Sequence, residues 1–261
     1  MIDYTRMPES KYHVRQVPDA AAIFRAAAQE FVRCAGQAIT ARGSFSVALS
    51  GGSTPKGLYG LLTTDEFRPQ VAWDKVFLFW GDERSVPPDN SDSNYRMANE
   101  AMLSKLPLAA SQIFRIRGEI DTAQAAAEYE QTLQKHFQLA SGQFPSLDLV
   151  LLGMGPDGHT ASLFPGTKAL QEQRRLVVSN WVGKFYTQRI TMTAPVLTNA
   201  QRILFLVNGD DKAQPLKAVL EGPFEPDQLP SQLILSAAAK TLWLVDPSAA
   251  KLLSIPKEEN A

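Results

Sequence analysis

Two residues capable of acid–base chemistry, Asp157 and His159, lie just after the apolar run 147–152. That run predicts a strand covered on both faces of a parallel sheet, and open α/β sheets bind ligands beyond the carboxyl ends of such strands. An imidazole placed there can take a proton from water near neutral pH. We therefore predict His159 as a general base and Asp157 as the residue that orients its loop or its ring. The spacing leaves open whether the two side chains meet, and a plain turn is the competing interpretation.

The glycine-rich segment 50–54 lies between a predicted strand, 45–49, and a helix predicted to begin at Lys56. Its amides and hydroxyls, together with the positive end of the helix, can receive a phosphate. The segment matches neither the dinucleotide-binding nor the nucleoside-triphosphate-binding glycine motif, which disfavours both ligands. The candidate phosphate-binding residues are Ser50, Gly51, Gly52, Ser53 and Thr54. An ordinary glycine turn is the alternative.

Four more charged residues could act on a ligand at the same edge of the sheet. Asp82 and Arg84 lie in a long polar loop, 81–93, that follows the predicted strand 76–80 and suits hydroxyl recognition better than simple solvation. Arg189 and Lys212 are candidate phosphate ligands, because a guanidinium offers a planar fork and an ammonium a point charge. Solvated surface charge is the alternative for all four.

The composition indicates a small ligand rather than a polymer or a membrane. Lys and Arg (26) nearly balance Asp and Glu (27) over 261 residues, so no overall field attracts nucleic acid or anionic lipid. The single cysteine, Cys34, excludes an internal disulfide and is expected to pack in a helix. Three scattered histidines without a cysteine pair argue against a metal site, and we expect no cofactor. Residues 1–18 lack the apolar core of a secretion signal, and no apolar run could span a bilayer, so we expect a cytoplasmic protein.

Helical and strand-like segments alternate along the chain, which predicts an α/β fold with a Rossmann-like, mostly parallel sheet and helices on both faces. Asp19 is predicted to cap the first helix and Gly43 to end it. Residues 174–197 look extended and could form a small subdomain within a single domain spanning residues 1–261. The predicted helices are 20–41, 94–106, 121–139, one from 56 and one after 209, and the predicted strands are 45–49, 76–80, 113–116, 147–152, 203–207 and 242–245.

Five segments together resemble the 6-phosphogluconolactonase family, within the wider group that includes glucosamine-6-phosphate deaminases. They are 50–55, 81–84 with 93–94, 153–165, 189–193 and Lys212. The segment 153–165 (GMGPDGHTASLFP) and the Gly-Asp-Glu-Arg sequence at 81–84 are specific, whereas the glycine loop alone is not. The likeness runs from about the first helix to the last strand. It implies a metal-free α/β hydrolase that opens 6-phospho-D-glucono-1,5-lactone to 6-phosphogluconate in the oxidative pentose phosphate pathway.

This substrate fits the predicted site residues. A lactone is an activated ester, so its hydrolysis needs a positioned water, a base and a stabilised oxyanion, without a covalent nucleophile. His159 would be the base, while Arg189, Lys212 and the 50–54 loop would hold the phosphate. Asp82 and Arg84 would line the sugar or the oxyanion side.

Two alternatives stay open. Glucosamine-6-phosphate deaminases share the Asp-Gly-His element but carry a glutamate five residues after the histidine, where this chain has Phe164. Without that carboxylate the proton relay of the isomerase reaction is incomplete, which favours the hydrolase. The second alternative is a non-catalytic sugar-phosphate-binding protein, against which the presence of His159 argues. The sequence leaves the oligomeric state open, a monomer included.

Overall fold

The computed structural model describes residues 12–254. Residues 1–11, part of the stretch searched for a secretion signal, lie outside the described residues. The described strands are β1 (His13–Gln16), β2 (Phe45–Leu49), β3 (Val76–Trp80), β4 (Asp82–Arg84), β5 (Leu149–Leu152), β6 (Val177–Val182), β7 (Thr187–Met192), β8 (Ile203–Val207) and β9 (Thr241–Val245). The described α-helices are α1 (Ala20–Arg42), α2 (Ser53–Leu62), α3 (Asn94–Ala101), α4 (Thr122–His136), α5 (Ala194–Thr198), α6 (Ala213–Glu221) and α7 (Pro247–Ala250).

Six strands form one parallel sheet in the order β1-β9-β8-β5-β2-β3. Every residue of β2, β5, β8 and β9 is buried, so both faces of the sheet are covered, as predicted for β5 from its continuous apolar run. The chain proceeds from β2 outward to β3, but from β5 outward in the opposite direction to β8 and β9. The loops after β2 and β5 therefore flank the switch point, where open α/β sheets bind ligands.

Helix α1 shows how local chemistry sets the boundaries of an element. The Asp19 carboxylate accepts a hydrogen bond from the Ala22 amide at 2.8 Å and caps the first turn. The helix ends where Gly43 adopts a left-handed conformation (φ 76°) and its amide donates to the Ile39 carbonyl. Both predicted boundary residues are confirmed. Cys34 lies on the buried face of this helix, and burial raises the pKa of its thiol to about 11, which fits the predicted packing role.

A second, antiparallel sheet has the strand order β4-β7-β6 and lies in the region predicted to be extended. The sequence predicts a loop at the residues of β4, because three charged residues in a row carry no strand pattern. Its pairing partner β7 lies about a hundred residues further along the chain, as the register of Asp82 with Thr191 and of Arg84 with Arg189 shows. Local sequence therefore could not reveal it. Residues 194–197, predicted to be extended, belong to α5.

Other predicted boundaries were wrong in ways that have local causes. Helix α2 begins at Ser53 rather than Lys56, because Gly52 (φ 106°) makes the turn into the helix. The strand predicted at 113–116 is a single bridge between Ile113 and Leu78, and the helix predicted over 94–106 ends at Ala101 before a short 3-10 turn. Strand β1, at the edge of the sheet beside β9, was not predicted because its residues are mostly polar and exposed.

No helix within residues 12–254 combines the length and the apolar composition needed to cross a membrane.

Candidate active site

A cavity of about 290 Å³ lies at the carboxyl ends of β2, β3, β5 and β8. All of the predicted site residues line it except Asp157 and Arg189. The structure thus brings together four loops that are far apart in the sequence, as the parallel sheet requires. The lining also includes Asn94, Ala161 and Asn208, which were not among the predicted site residues. Asn208 directly follows β8, so its strand-end position is the signal that could have identified it.

The side chains of Asp157 and His159 are in direct contact. His159 Nδ1 lies 2.5 Å from Asp157 Oδ1, while Lys184 Nζ donates to Asp157 Oδ2 at 2.9 Å. Burial alone would raise the pKa of Asp157, but the hydrogen bonds from His159 and Lys184 outweigh it and hold that pKa well below its usual value. An ionised carboxylate can only accept hydrogen bonds, so the Nδ1 atom that faces it carries a proton, and in the neutral imidazole the lone pair is then on Nε2. This is the tautomer that a general base requires.

The His159 ring is held by packing as well as by Asp157. The Phe164 ring stacks on the imidazole with a centroid distance of 4.0 Å and an angle of 24° between the planes. Gly155 lies against Nδ1 and Cε1, so closely that a Cβ atom there would stand 2.0 Å and 2.1 Å from these two atoms. The Gly155 amide also donates to the His159 carbonyl at 2.9 Å. The ring is therefore fixed by contacts that leave it little freedom to rotate.

Replacing Gly155 with alanine is expected to reduce kcat by about 100-fold, since the new methyl group would displace the imidazole by roughly an ångström. The measurement is kcat together with the free energy of unfolding. Gly36→Ala is the matched control, because it adds the same methyl group in open space on helix α1 and should stabilise the protein by about 0.5–1 kcal/mol. A Gly155→Ala variant with unchanged kcat would show that the ring position is not set by this contact.

The two neighbouring carboxylates of β4 have different surroundings. Asp82 lines the cavity, accepts a hydrogen bond from the Ser162 hydroxyl at 2.6 Å and contacts the Asn94 amide at 3.3 Å. Glu83, on the other side of the strand, accepts hydrogen bonds from the backbone amides of Asn94 and Tyr95, both at 2.8 Å. Burial raises the pKa of Glu83, although these amide donors partly offset the shift. Asp82 thus lines the cavity, whereas Glu83 fixes the start of α3.

The 50–54 loop leads from β2 into α2 at the cavity. The Tyr59 hydroxyl accepts a hydrogen bond from the Ser50 amide at 2.9 Å and donates to the Ser50 carbonyl at 2.8 Å, which holds the entrance to the loop. Because α2 begins at Ser53 and its first residues line the cavity, the positive end of the helix lies at the cavity rim. The Thr54 hydroxyl donates to Asn208 Oδ1 at 2.5 Å, linking the loop to the end of β8.

The cationic side chains considered as phosphate ligands differ in their position relative to the cavity. Lys212 lines the cavity, and its ammonium group lies 2.8 Å from Asp211 Oδ2. Arg84 also lines the cavity and donates to the Asp92 carbonyl. Arg189 pairs with Arg84 across the β4 and β7 strands and lies outside the cavity lining, with its guanidinium over the Phe185 ring at 5.9 Å. Burial, with the adjacent Arg84 charge, lowers the pKa of Arg189.

The other two histidines are distant from this site. His13 lies on the edge strand β1, and His136 packs against the rings of Phe77, Phe79 and Phe114 with centroid distances of 4.9–5.0 Å. Within residues 12–254 no cluster of three or more His, Cys, Asp or Glu side chains is arranged to hold a metal ion.

The chain is similar to known proteins over most of its length. The family model described as glucosamine-6-phosphate isomerases/6-phosphogluconolactonase matches residues 18–243. A 6-phosphogluconolactonase of Nostoc sp. is 41% identical over 247 residues, which cover 94% of this chain and 100% of that protein. The solved structure of the 6-phosphogluconolactonase from Trypanosoma cruzi superposes with a TM-score of 0.82 at 27% identity, over 94% of this chain and 98% of the other.

A monomeric glucosamine-6-phosphate deaminase also superposes, with a TM-score of 0.76 at 21% identity, over 92% of this chain and 99% of the other. At that identity the likeness shows the fold alone. The family match over residues 18–243 and the 41% identity to the Nostoc protein show membership of the family as well as the fold. The motifs at 81–84 and 153–165 agree with this. The chain therefore belongs to the glucosamine-6-phosphate isomerase/6-phosphogluconolactonase family.

Proposed function

We propose that the protein hydrolyses 6-phospho-D-glucono-1,5-lactone to 6-phosphogluconate in the oxidative pentose phosphate pathway. The observation that carries this proposal is the Asp157–His159 pair, with Nδ1 and Oδ1 2.5 Å apart, at a cavity that the 50–54 loop also lines. The similar proteins from Nostoc sp. and Trypanosoma cruzi are both named 6-phosphogluconolactonase. A base next to a phosphate-binding loop is the arrangement that a phosphorylated lactone requires.

In the proposed mechanism His159 activates a water molecule. Nε2 takes a proton from the water while the water oxygen attacks the lactone carbonyl carbon, and the ionised Asp157 stabilises the imidazolium that forms. The tetrahedral intermediate collapses with cleavage of the bond between that carbon and the ring oxygen. The imidazolium returns the proton to the departing ring oxygen, which becomes the 5-hydroxyl group. The products are the carboxylic acid and the regenerated base, and the acid then ionises in solution.

Positive charge at the cavity serves binding and stabilisation. Lys212 and the 50–54 loop would hold the phosphate, which as a remote handle positions the ring over His159. Arg84, at the end of β4 in the second sheet, would stabilise the oxyanion or contact the sugar, while Asp82 would accept a hydrogen bond from a sugar hydroxyl. Arg189 would add to the positive potential from its place beside Arg84.

The deaminase alternative requires an acid–base group near Phe164, and the structure gives a physical reason to disfavour it. Phe164 is buried and stacks on the His159 ring, so the space where a proton-relaying carboxylate would act is filled by an apolar side chain. Ring opening of an amino sugar needs a proton relay at the ring oxygen as well as a base near C2. Water attack on a lactone needs one base and a stabilised oxyanion.

We predict that the purified protein accelerates lactone opening but releases no ammonia from glucosamine 6-phosphate above background. Both substrates are given to the same preparation, with ammonia measured in one arm and acid release in the other. Glucosamine 6-phosphate should act at most as a weak competitive inhibitor through the shared phosphate site. Ammonia release without lactone hydrolysis would establish the deaminase function. Binding of the sugar phosphate with neither activity would establish the non-catalytic alternative.

A further inference from the structure

We propose that Lys184, at the tip of the hairpin between β6 and β7, is a positioning residue for the base His159. This inference rests on the proposed function. Lys184 lies outside the cavity lining, and its sequence position, well beyond the 153–165 motif, gives no hint of a role there. Its ammonium group nevertheless binds the carboxylate that holds the imidazole.

The polar link runs through both oxygens of one carboxylate. Lys184 Nζ donates to Asp157 Oδ2 at 2.9 Å, and His159 Nδ1 lies 2.5 Å from Asp157 Oδ1. With a partner at each oxygen, the carboxylate cannot rotate about its Cβ–Cγ bond without losing one of the two contacts. The backbone amide of His159 adds only a weak hydrogen bond to Asp157 Oδ1, at 3.4 Å. Lys184 therefore fixes the rotation of Asp157, and through it the tautomer and orientation of His159.

An apolar link runs in parallel from the next residue of the same hairpin. The Phe185 ring contacts Phe164 edge to face with a centroid distance of 5.7 Å, and Phe164 stacks on His159. Lys184 Nζ also lies 5.5 Å from the centroid of the Phe185 ring. Two consecutive hairpin residues thus reach the imidazole, one through a carboxylate and one through a stacked ring. This double contact is what a device that orients the base requires.

Because Lys184 is exposed, its effect on the orientation of His159 can be measured apart from any effect on the stability of the fold. Its side chain is 54% exposed, and ion pairs in such surroundings contribute little to the free energy of unfolding. Removal of the ammonium group should therefore leave the fold intact. The effect of the substitution should appear in the geometry of the base, where small displacements have large consequences for rate.

The test compares Lys184→Met with Lys135→Met, an exposed lysine on α4 that is remote from the cavity. We expect Lys184→Met to lower kcat about tenfold with KM nearly unchanged, and Lys184→Arg to restore most of kcat. The ¹⁵N spectrum of the histidine-labelled protein reports the tautomer independently of activity. His159 is assigned by its absence in His159→Gln, which is feasible with three histidines in the chain. The wild type should show a protonated Nδ1, and Lys184→Met a mixture of both tautomers.

Two results would overturn this role for Lys184. One is a Lys184→Met variant whose kcat and imidazole ¹⁵N shifts equal those of Lys135→Met. The other is a rise in KM at constant kcat, which would make Lys184 a substrate contact. If the wild type itself fails to open the lactone, the proposed function is wrong, and the ¹⁵N spectra still decide whether Lys184 orients the ring.

Discussion

Replacing His159 with glutamine is expected to lower kcat for lactone opening by about 10²- to 10⁴-fold, the usual contribution of a positioned general base. Glutamine has a similar size and keeps a polar terminus, but it cannot take a proton from water. KM should change little, because the proposed phosphate ligands, Lys212 and the 50–54 loop, follow β8 and β2, whereas His159 follows β5. The measurement is kcat and KM from acid release, corrected for spontaneous hydrolysis.

The control for this variant is His13→Gln, which changes an exposed histidine on the edge strand β1. It should keep wild-type kcat. Protonation of Asp157 should not contribute to any loss of rate at moderately acid pH, because the hydrogen bonds from His159 and Lys184 keep its pKa well below the usual value. A His159→Gln variant with near wild-type kcat would remove His159 from the mechanism.

Replacing Lys212 with alanine is expected to raise KM for the phosphorylated lactone by roughly 10- to 100-fold, the equivalent of one charge-assisted hydrogen bond. The preference for the phosphorylated lactone over unphosphorylated gluconolactone should shrink by the same factor, because the lost contact is to the phosphate. Lys217→Ala, an exposed lysine on the following helix α6, is the matched control and should leave both quantities unchanged.

Arg189→Ala, measured in the same way, shows which of the two predicted phosphate ligands, Lys212 or Arg189, contributes more to selectivity. Lys212 lines the cavity and Arg189 does not, so we expect a smaller loss of selectivity from Arg189→Ala. A larger loss at Arg189 would move the phosphate toward the second sheet. Unchanged selectivity in both variants would show that the phosphate binds elsewhere.

The parts of the molecule that depend on local chemistry could be predicted from the sequence. The buried strands β5 and β8 are continuous apolar runs, and Asp19 and Gly43 bound α1 through hydrogen bonds within a few residues. Because parallel strands present their carboxyl ends at one edge, the loops after them were predicted to meet, and they do.

The parts that depend on distant pairing could not be predicted. Strand β4 exists because β7 supplies its hydrogen bonds, and three charged residues give no sign of that partner. Lys184 reaches Asp157 only because the β6 and β7 hairpin folds back toward the loop after β5. Arg189 shows the converse, since its residue type suits a phosphate ligand but its place in the second sheet lies outside the cavity lining.

The most direct test of the proposed function is the release of acid from freshly prepared 6-phospho-D-glucono-1,5-lactone, followed at constant pH against a protein-free blank. The account predicts a rate above the blank that is proportional to protein concentration and saturates with lactone. The total acid released should equal the lactone added, as expected for complete ring opening. A rate equal to the blank at every protein concentration would contradict the assignment.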